Sequence, residues 1–141
     1  MADLNRQQFT DAELFAKEKE IQSRNLFFIH NHGELVDVRK DYAEVQLRLV
    51  PESMNFLGTV HGGAHFTLAD VCAGIVCRTD GRKYVTQHAS VEYIRAVKGG
   101  VLSAKGSVMH RGRTGCVVEI RIFSEEGKLA FAGTFQFACI G

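Results

Sequence analysis

The sequence predicts an α+β domain in which a curved, largely antiparallel sheet wraps around one long central helix. Three observations predict it. From Gly62 to Cys77 the chain is almost wholly apolar, with Asp70 as its only formal charge. On both sides of that run, apolar and polar residues alternate with a period of two, the pattern of half-buried strands. Glycine-rich turn signals join the alternating segments at short intervals. A helix apolar on all sides needs cover all round, and a sheet can supply it.

Size and charge narrow the rest. The 141 residues make a single domain, 1–141, with residues 1–25 as an N-terminal helical extension. Seventeen Lys and Arg against 16 Asp and Glu give a net charge of +1, which argues against a nucleic-acid partner. No apolar run is long enough to span a bilayer, so no membrane partner is expected. The polar start MADLNRQQFTDAELFAKEKE has no signal-peptide core, and the expected compartment is the cytoplasm. The four cysteines, Cys72, Cys77, Cys116 and Cys139, form no CxxC pair and read as reduced core residues.

In chain order, residues 10–24 read as an amphipathic surface helix carrying Leu14, Phe15 and Ile21. Thr10 and Glu13 form a capping-box pattern at its start. No second helix follows, as a DNA-reading helix-turn-helix would require. Gly33–Arg39 reads as a strand, Lys40-Asp41 as a turn, and Ala43, Val45, Leu47 and Leu49 as one face of the next strand. Pro51 to Met54 ends this hairpin and the central helix follows. Beyond the turn at Thr79–Arg82 come three long strands: Lys83–Ala96, with Val85, Gln87, Ala89, Val91 and Tyr93 on one face; Val101–His110; and Gly115–Ser124, with Cys116, Val118, Ile120 and Ile122 on one face. Glu125-Glu126-Gly127 then turns the chain into Lys128–Ile140. One helix fills only one face of a sheet, and open strand edges can pair with another chain. Both points predict a symmetric dimer.

The chemistry concentrates between Asn55 and Thr79. A carboxylate on an apolar helix costs free energy unless it is paired or used, so Asp70 is either a catalytic group or a bonded structural one. Gly62 and Gly63 form the first turn of that helix. Its leading N–H groups lack internal partners and are suited to an oxyanion. Alternatively, the glycines only let helix and sheet pack closely. Asp70 lies eight residues past Gly62, about 12 Å along a helix, too far for both to touch one carbonyl carbon. Acting together, they must come from different chains lying side by side and antiparallel. His61 can orient the loop or donate to a substrate; His65 four residues on lacks the glutamate of an HExxH motif, and no metal is expected. Asn55 either binds water or forms a turn. Nothing nearby activates Cys72 or Cys77 as a nucleophile, and there is no GxSxG elbow.

Asn55-x-x-Gly58-x-x-His61-Gly62-Gly63 followed by Leu68-Ala69-Asp70 resembles the signature of hotdog-fold acyl-CoA thioesterases, nearest the phenylacetate-pathway (PaaI-like) branch. The likeness runs from about Gly33 to the C-terminus through Val85-Thr86, Val91–Arg95 and His110–Arg113. It implies a hotdog fold, homodimers or dimers of dimers, no cofactor, and hydrolysis of an acyl-CoA substrate. It also implies residue roles. Asp70 matches the catalytic general base or nucleophile, and Gly62 the N–H that polarises the carbonyl. Asn55 and His61 match supporting residues, Asn55 holding the lytic water, and Thr86 a position that assists water or substrate. Gly63, Tyr93, Arg111, Gly112 and Arg113 fall in substrate-binding regions, where the two arginines either pair with CoA phosphates or form an exposed basic hairpin. Phe56, Leu57 and Phe66 are candidates for the acyl pocket. Val97 and Cys72 depart from the pattern without touching this chemistry. A non-catalytic acyl-CoA sensor on the same fold, or a hydratase with a different His-plus-carboxylate arrangement, are the alternatives.

Overall fold

We describe residues 8–141 of a computed structural model of the chain. Residues 1–7, where the expected N-terminal extension begins, lie outside the described residues.

Helix α1 spans Asp11–Gln22. Thr10 Oγ1 accepts from Glu13 N and Glu13 Oε1 accepts from Thr10 N, both at 3.1 Å, so the capping box is closed. Its buried residues are Leu14, Glu18 and Gln22, so the inward face is mostly polar rather than the apolar face expected. Glu18 tolerates burial because Arg78 donates to both its oxygens, at 2.9 and 3.0 Å. A second helix, α2 (Leu26–His30), follows where the sequence suggests none. Asn25 caps it through Oδ1, accepting from Phe28 N at 3.4 Å.

Six strands form one antiparallel sheet: β1 (Gly33–Arg39), β2 (Tyr42–Arg48), β3 (Tyr84–Tyr93), β4 (Val101–Arg111), β5 (Gly115–Phe123) and β6 (Leu129–Cys139), in the order β1-β2-β4-β5-β6-β3. The sequence count of three strands after the helix is one short, because the segment beyond Glu125-Glu126-Gly127 is itself a full strand. The long helix α3 (Gly62–Arg78) packs against β2, β4 and β5, and less extensively against β3 and β6. Gly106 on β4 lets it approach: an added Cβ would lie 2.6 Å from Ile120 and 3.1 Å from Val76. Among the described residues no helix is long and apolar enough to cross a membrane.

The sheet does not close over α3 on every side. Gly63, Phe66, Thr67, Asp70 and Val71 are only partly buried or exposed, and they recur at i, i+3, i+4, i+7 and i+8, one stripe of the helix. Beside this stripe runs β3, an edge strand whose outer side pairs with nothing among the described residues and whose residues are mostly exposed. A bulge between Thr86 and His88 changes its parity. As a result Thr86 and Tyr93, which strict alternation puts on opposite faces, both touch α3. The expected face holds for Ala89, Val91 and Tyr93. Thr86, not Val85 or Gln87, joins them on the helix side of the bulge.

The far end of α3 is held by a buried polar node. Arg111 is 7% exposed and Asp80 fully buried. The Arg111 guanidinium donates to Asp80 Oδ2 at 2.8 Å, to Asp41 Oδ1 at 2.9 Å, and to the helix-end carbonyls of Cys77 and Val76 at 2.9 and 3.1 Å. Asp80 Oδ2 also accepts from Tyr84 Oη at 2.6 Å and Arg82 Nε at 2.8 Å. This corrects the reading of Arg111 as a phosphate contact: its donors are committed inside the fold, and it is no exposed hairpin residue either. Burial pushes the Asp80 carboxyl up, but the Tyr84 hydroxyl and the Arg82 and Arg111 contacts outweigh it and leave it below the ordinary carboxylate range. The stability it lends is therefore present above the ordinary carboxylate pKa and is lost as pH falls through the lowered value. Replacing Arg111 with Met should lower the unfolding free energy by about 3 kcal/mol, because a buried carboxylate loses a partner. A urea unfolding midpoint equal to that of the wild type would show that the node contributes nothing to stability.

Candidate active site

The loop before α3 is shaped by Asn55. Its Oδ1 accepts from the Leu57 and Thr59 N–H groups at 2.9 and 3.1 Å, and its Nδ2 donates to Thr59 Oγ1 at 2.9 Å. Gly58 at φ +79° completes the reversal. Of the two roles left open for Asn55, the structure therefore displays the turn-forming one, with one amide N–H beyond these bonds. Phe56 and Leu57, at the loop tip, are 95% and 72% exposed. Phe66 instead leans on Phe135, ring centroids 5.3 Å apart.

His61 caps α3. Its Nδ1 accepts from the Gly63 N–H at 2.8 Å, which places the proton of the neutral ring on Nε2. Ala64 N bonds to His61 O at 2.9 Å. The Gly62 N–H is the first-turn donor left over, with no partner among the described residues. The Tyr93 ring lies over Gly62, and its hydroxyl donates to Gly62 O at 3.4 Å. Gly62, His65, Tyr93 and Ile94 line a cleft of about 330 Å³ here.

Asp70 stands at the other end of the open stripe. Thr86 Oγ1 donates to Asp70 Oδ1 at 2.7 Å, so the structure brings these two predicted residues together. Burial raises the Asp70 carboxyl, the Thr86 hydroxyl and the Arg78 charge pull it back, and the balance lies above the ordinary carboxylate value. A raised pKa suits a carboxylate that must take a proton from water near neutral pH. Asp70, Thr86, Gln22, Asn25, Val71 and Phe137 border a cleft of about 280 Å³.

Asp70 and Gly62 thus sit in different clefts of one protomer. Gly112 and Arg113 lie away from both, on the β4–β5 turn. Gly112 O and Arg113 O accept from the Arg82 guanidinium at 2.8 and 2.7 Å, while the Arg113 side chain is exposed. Three residues at the clefts carry no clear mark in the sequence. Gln22 ends α1 and Asn25 caps α2, and no apolar periodicity marks either as inward. His65 is 4% exposed, stacked on Phe131 with centroids 5.8 Å apart, and burial lowers its pKa. Only its place one turn after Gly62 hints at its position.

Comparison with known proteins identifies the family. A family model described as the thioesterase superfamily matches residues 57–131. The acyl-coenzyme A thioesterase PaaI of Escherichia coli is 25% identical over 96 residues, 67% of this chain and 69% of PaaI. The crystal structure of a hypothetical thioesterase protein with coenzyme A, from Streptococcus pneumoniae, is 32% identical, covers 86% of this chain and 97% of its own, and superposes with a TM-score of 0.80. The structure of Escherichia coli PaaI superposes with a TM-score of 0.90 at 19% identity, covering 94% of this chain and 97% of that one, which shows a common fold. The chain belongs to the thioesterase superfamily and is a PaaI-like thioester hydrolase of the hotdog fold.

Proposed function

We propose that the chain hydrolyses the thioester of an acyl-CoA to the free acid and CoA, at two equivalent sites shared between two copies of the chain. One observation carries this reading. Asp70 with Thr86, and the unpartnered Gly62 N–H with Tyr93, stand at opposite ends of one uncovered stripe on α3. Phe66 is midway between Gly62 and Asp70 in sequence, and Ala89-Ser90 midway between Thr86 and Tyr93. A two-fold axis through those midpoints sets two α3 helices antiparallel and pairs two β3 edges. It brings Asp70 of each copy to the Gly62 amide of the other and covers the stripe. The coenzyme A held by the Streptococcus pneumoniae relative supports the CoA arm of the substrate.

In this site the thioester carbonyl oxygen lies against the Gly62 N–H, where negative charge develops as the carbonyl carbon becomes tetrahedral. Asp70 either takes a proton from the attacking water or attacks the carbon itself to form a mixed anhydride, which a water molecule hydrolyses to the free acid once CoA has left. The C–S bond then breaks and CoA leaves as the thiol after protonation. Thr86 holds the carboxylate through its hydroxyl. His61 fixes the first turn. Asn55 shapes the loop beside Gly62, and its remaining amide N–H is available to the lytic water. Tyr93 and Gly63 border the substrate, and of the two arginines Arg113 is the one whose side chain is exposed to a CoA phosphate.

The test is release of CoA from a panel of acyl-CoAs. Asp70→Asn should lower kcat by about 10²–10⁴-fold, the usual range for a positioned base. It should also melt no lower than the wild type near neutral pH. Because the folded carboxyl is raised, stability falls as pH climbs from its unfolded to its folded pKa, so removing the charge removes that cost. Full activity in Asp70→Asn would end the mechanism.

The Thr86 hydroxyl favours the charged carboxylate, so Thr86→Val should raise the Asp70 pKa further. The acid limb of the kcat profile should then move up by roughly one pH unit, the worth of one hydrogen bond. A limb that stays in place would remove Thr86 from the site.

Gly62 is the first residue of α3, a position that accepts proline. Gly62→Pro therefore deletes the N–H with little change to the helix. Mixing it with Asp70→Ala, each inactive by itself, should recover activity as subunits exchange, because each hybrid holds one intact site. No recovery despite demonstrated exchange would place the whole site within one chain.

A further inference from the structure

One buried polar ring on α3 has no part in the hydrolysis described so far. The residues sealed beside it along the helix, Leu68, Ala69, Cys72 and Ala73 among them, are apolar, yet His65 is buried with them. A leucine there would pack on Phe131 with no polar atom to satisfy. The His65 ring is 4% exposed, and burial favours its neutral form. It therefore carries one N–H and one bare nitrogen. Nδ1 is sealed and has no hydrogen-bond partner among the described residues. Nε2 has no partner among them either, but it is not sealed. A proton on Nδ1 would be a buried donor with nothing to meet, so its place is Nε2.

The ring borders the cleft of the Gly62 amide. Cα–Cβ bonds on a helix tilt toward its N-terminus, so a long side chain one turn on lies back over the turn that Gly62 begins. The ring centroids of His65 and Tyr93 are 6.1 Å apart. Tyr93 in turn sits over Gly62, its Cε1 3.4 Å from where a Cβ would be. Val60, Gly62, His65, Tyr93 and Ile94 line one cleft of about 330 Å³. Two N–H donors thus border it, Gly62 N and His65 Nε2, neither with an acceptor among the described residues. A thioester carbonyl oxygen can accept from both, and it gains negative charge as its carbon becomes tetrahedral.

We propose that His65 is a catalytic residue: its Nε2–H donates to the thioester carbonyl oxygen alongside the Gly62 amide, and the bond tightens as that oxygen becomes anionic. This deepens the acyl-CoA reading above and rests on it. The ring gives up no proton and forms no bond to carbon; it acts as a fixed neutral donor. An apolar wall at Phe131 and Tyr93 holds it in place without competing for its N–H.

The experiment measures kcat and KM for CoA release from benzoyl-CoA and hexanoyl-CoA. His65→Leu should lower kcat by about 10- to 100-fold and leave KM nearly unchanged, the signature of a contact that strengthens in the transition state. A glutamine amide nitrogen falls near the place of Nε2, and an asparagine one near that of Nδ1. His65→Gln should therefore keep most of the rate, whereas His65→Asn should fall with His65→Leu. Melting curves confirm that each variant is folded, and the Gln and Asn pair decides the matter if the Leu variant is not. Hexyl-CoA, a thioether without the carbonyl, should bind wild type and His65→Leu alike in a calorimetric titration. An unchanged kcat in folded His65→Leu, equal rates in the Gln and Asn variants, or weaker binding of hexyl-CoA by His65→Leu would overturn the assignment. The last result would put the ring on the CoA arm instead. A wild type that releases no CoA from the acyl-CoA panel sinks the hydrolase reading and this one with it. An active wild type with an indifferent His65 sinks this one alone.

Discussion

The carboxylate of Asp70 is set on a helix whose C-terminal half is sealed by the sheet, and it has one hydroxyl, Thr86, to hold it. Its raised pKa is the consequence of that placement. Moved two turns toward either end of α3, the same side chain would lose either its hydroxyl partner or its half-buried position on the open stripe. Much of the molecule serves to keep this arrangement: the sheet behind the helix, the bulge that turns Thr86 inward, and α1 closing the cleft from the side.

The two ends of α3 are managed differently, and the difference follows from helix electrostatics. At the N-terminus one N–H is taken by His61 Nδ1 and the Gly62 N–H has no partner among the described residues, which leaves a partial positive charge at that end. At the C-terminus the carbonyls of Val76 and Cys77 are met by a buried guanidinium that is itself balanced by Asp80 and Asp41. One end keeps a free-pointing donor among the described residues and the other is closed by a buried ion-pair node. Arg111 reads as a ligand contact in the sequence because its neighbourhood, His110 to Arg113, has the look of an exposed basic turn. Burial by residues thirty and seventy positions away in the chain is not visible from that neighbourhood.

Burial on the inner face of β2 and β5 follows the alternation closely, because the ladders are regular there and one face meets a continuous core. β3 shows the limit of that rule. One extra residue between Thr86 and His88 inverts the parity of half the strand. No residue type announces the bulge, since neither glycine nor proline stands there. The same limit applies to α1, where Glu18 and Gln22 turn inward beside the expected Leu14. A buried polar face is sensible only when its partners, Arg78 and Asn25, are in place, and the sequence does not pair them.

What the amino-acid order by itself determined was local and periodic. Legible there are the capping box at Thr10, the long apolar helix with one acid, the strands, and the separation of Asp70 from Gly62 along a rod of fixed rise. That separation follows from the helical rise alone and excludes a site within one helix. The tertiary structure decided everything that depends on which distant groups meet: Thr86 against Asp70, Tyr93 over Gly62, Arg111 inside the node, and Gln22 at the edge of the cleft. Those contacts join positions tens of residues apart across a sheet whose strand order departs from sequence order. Spacing along the chain carries no information about them.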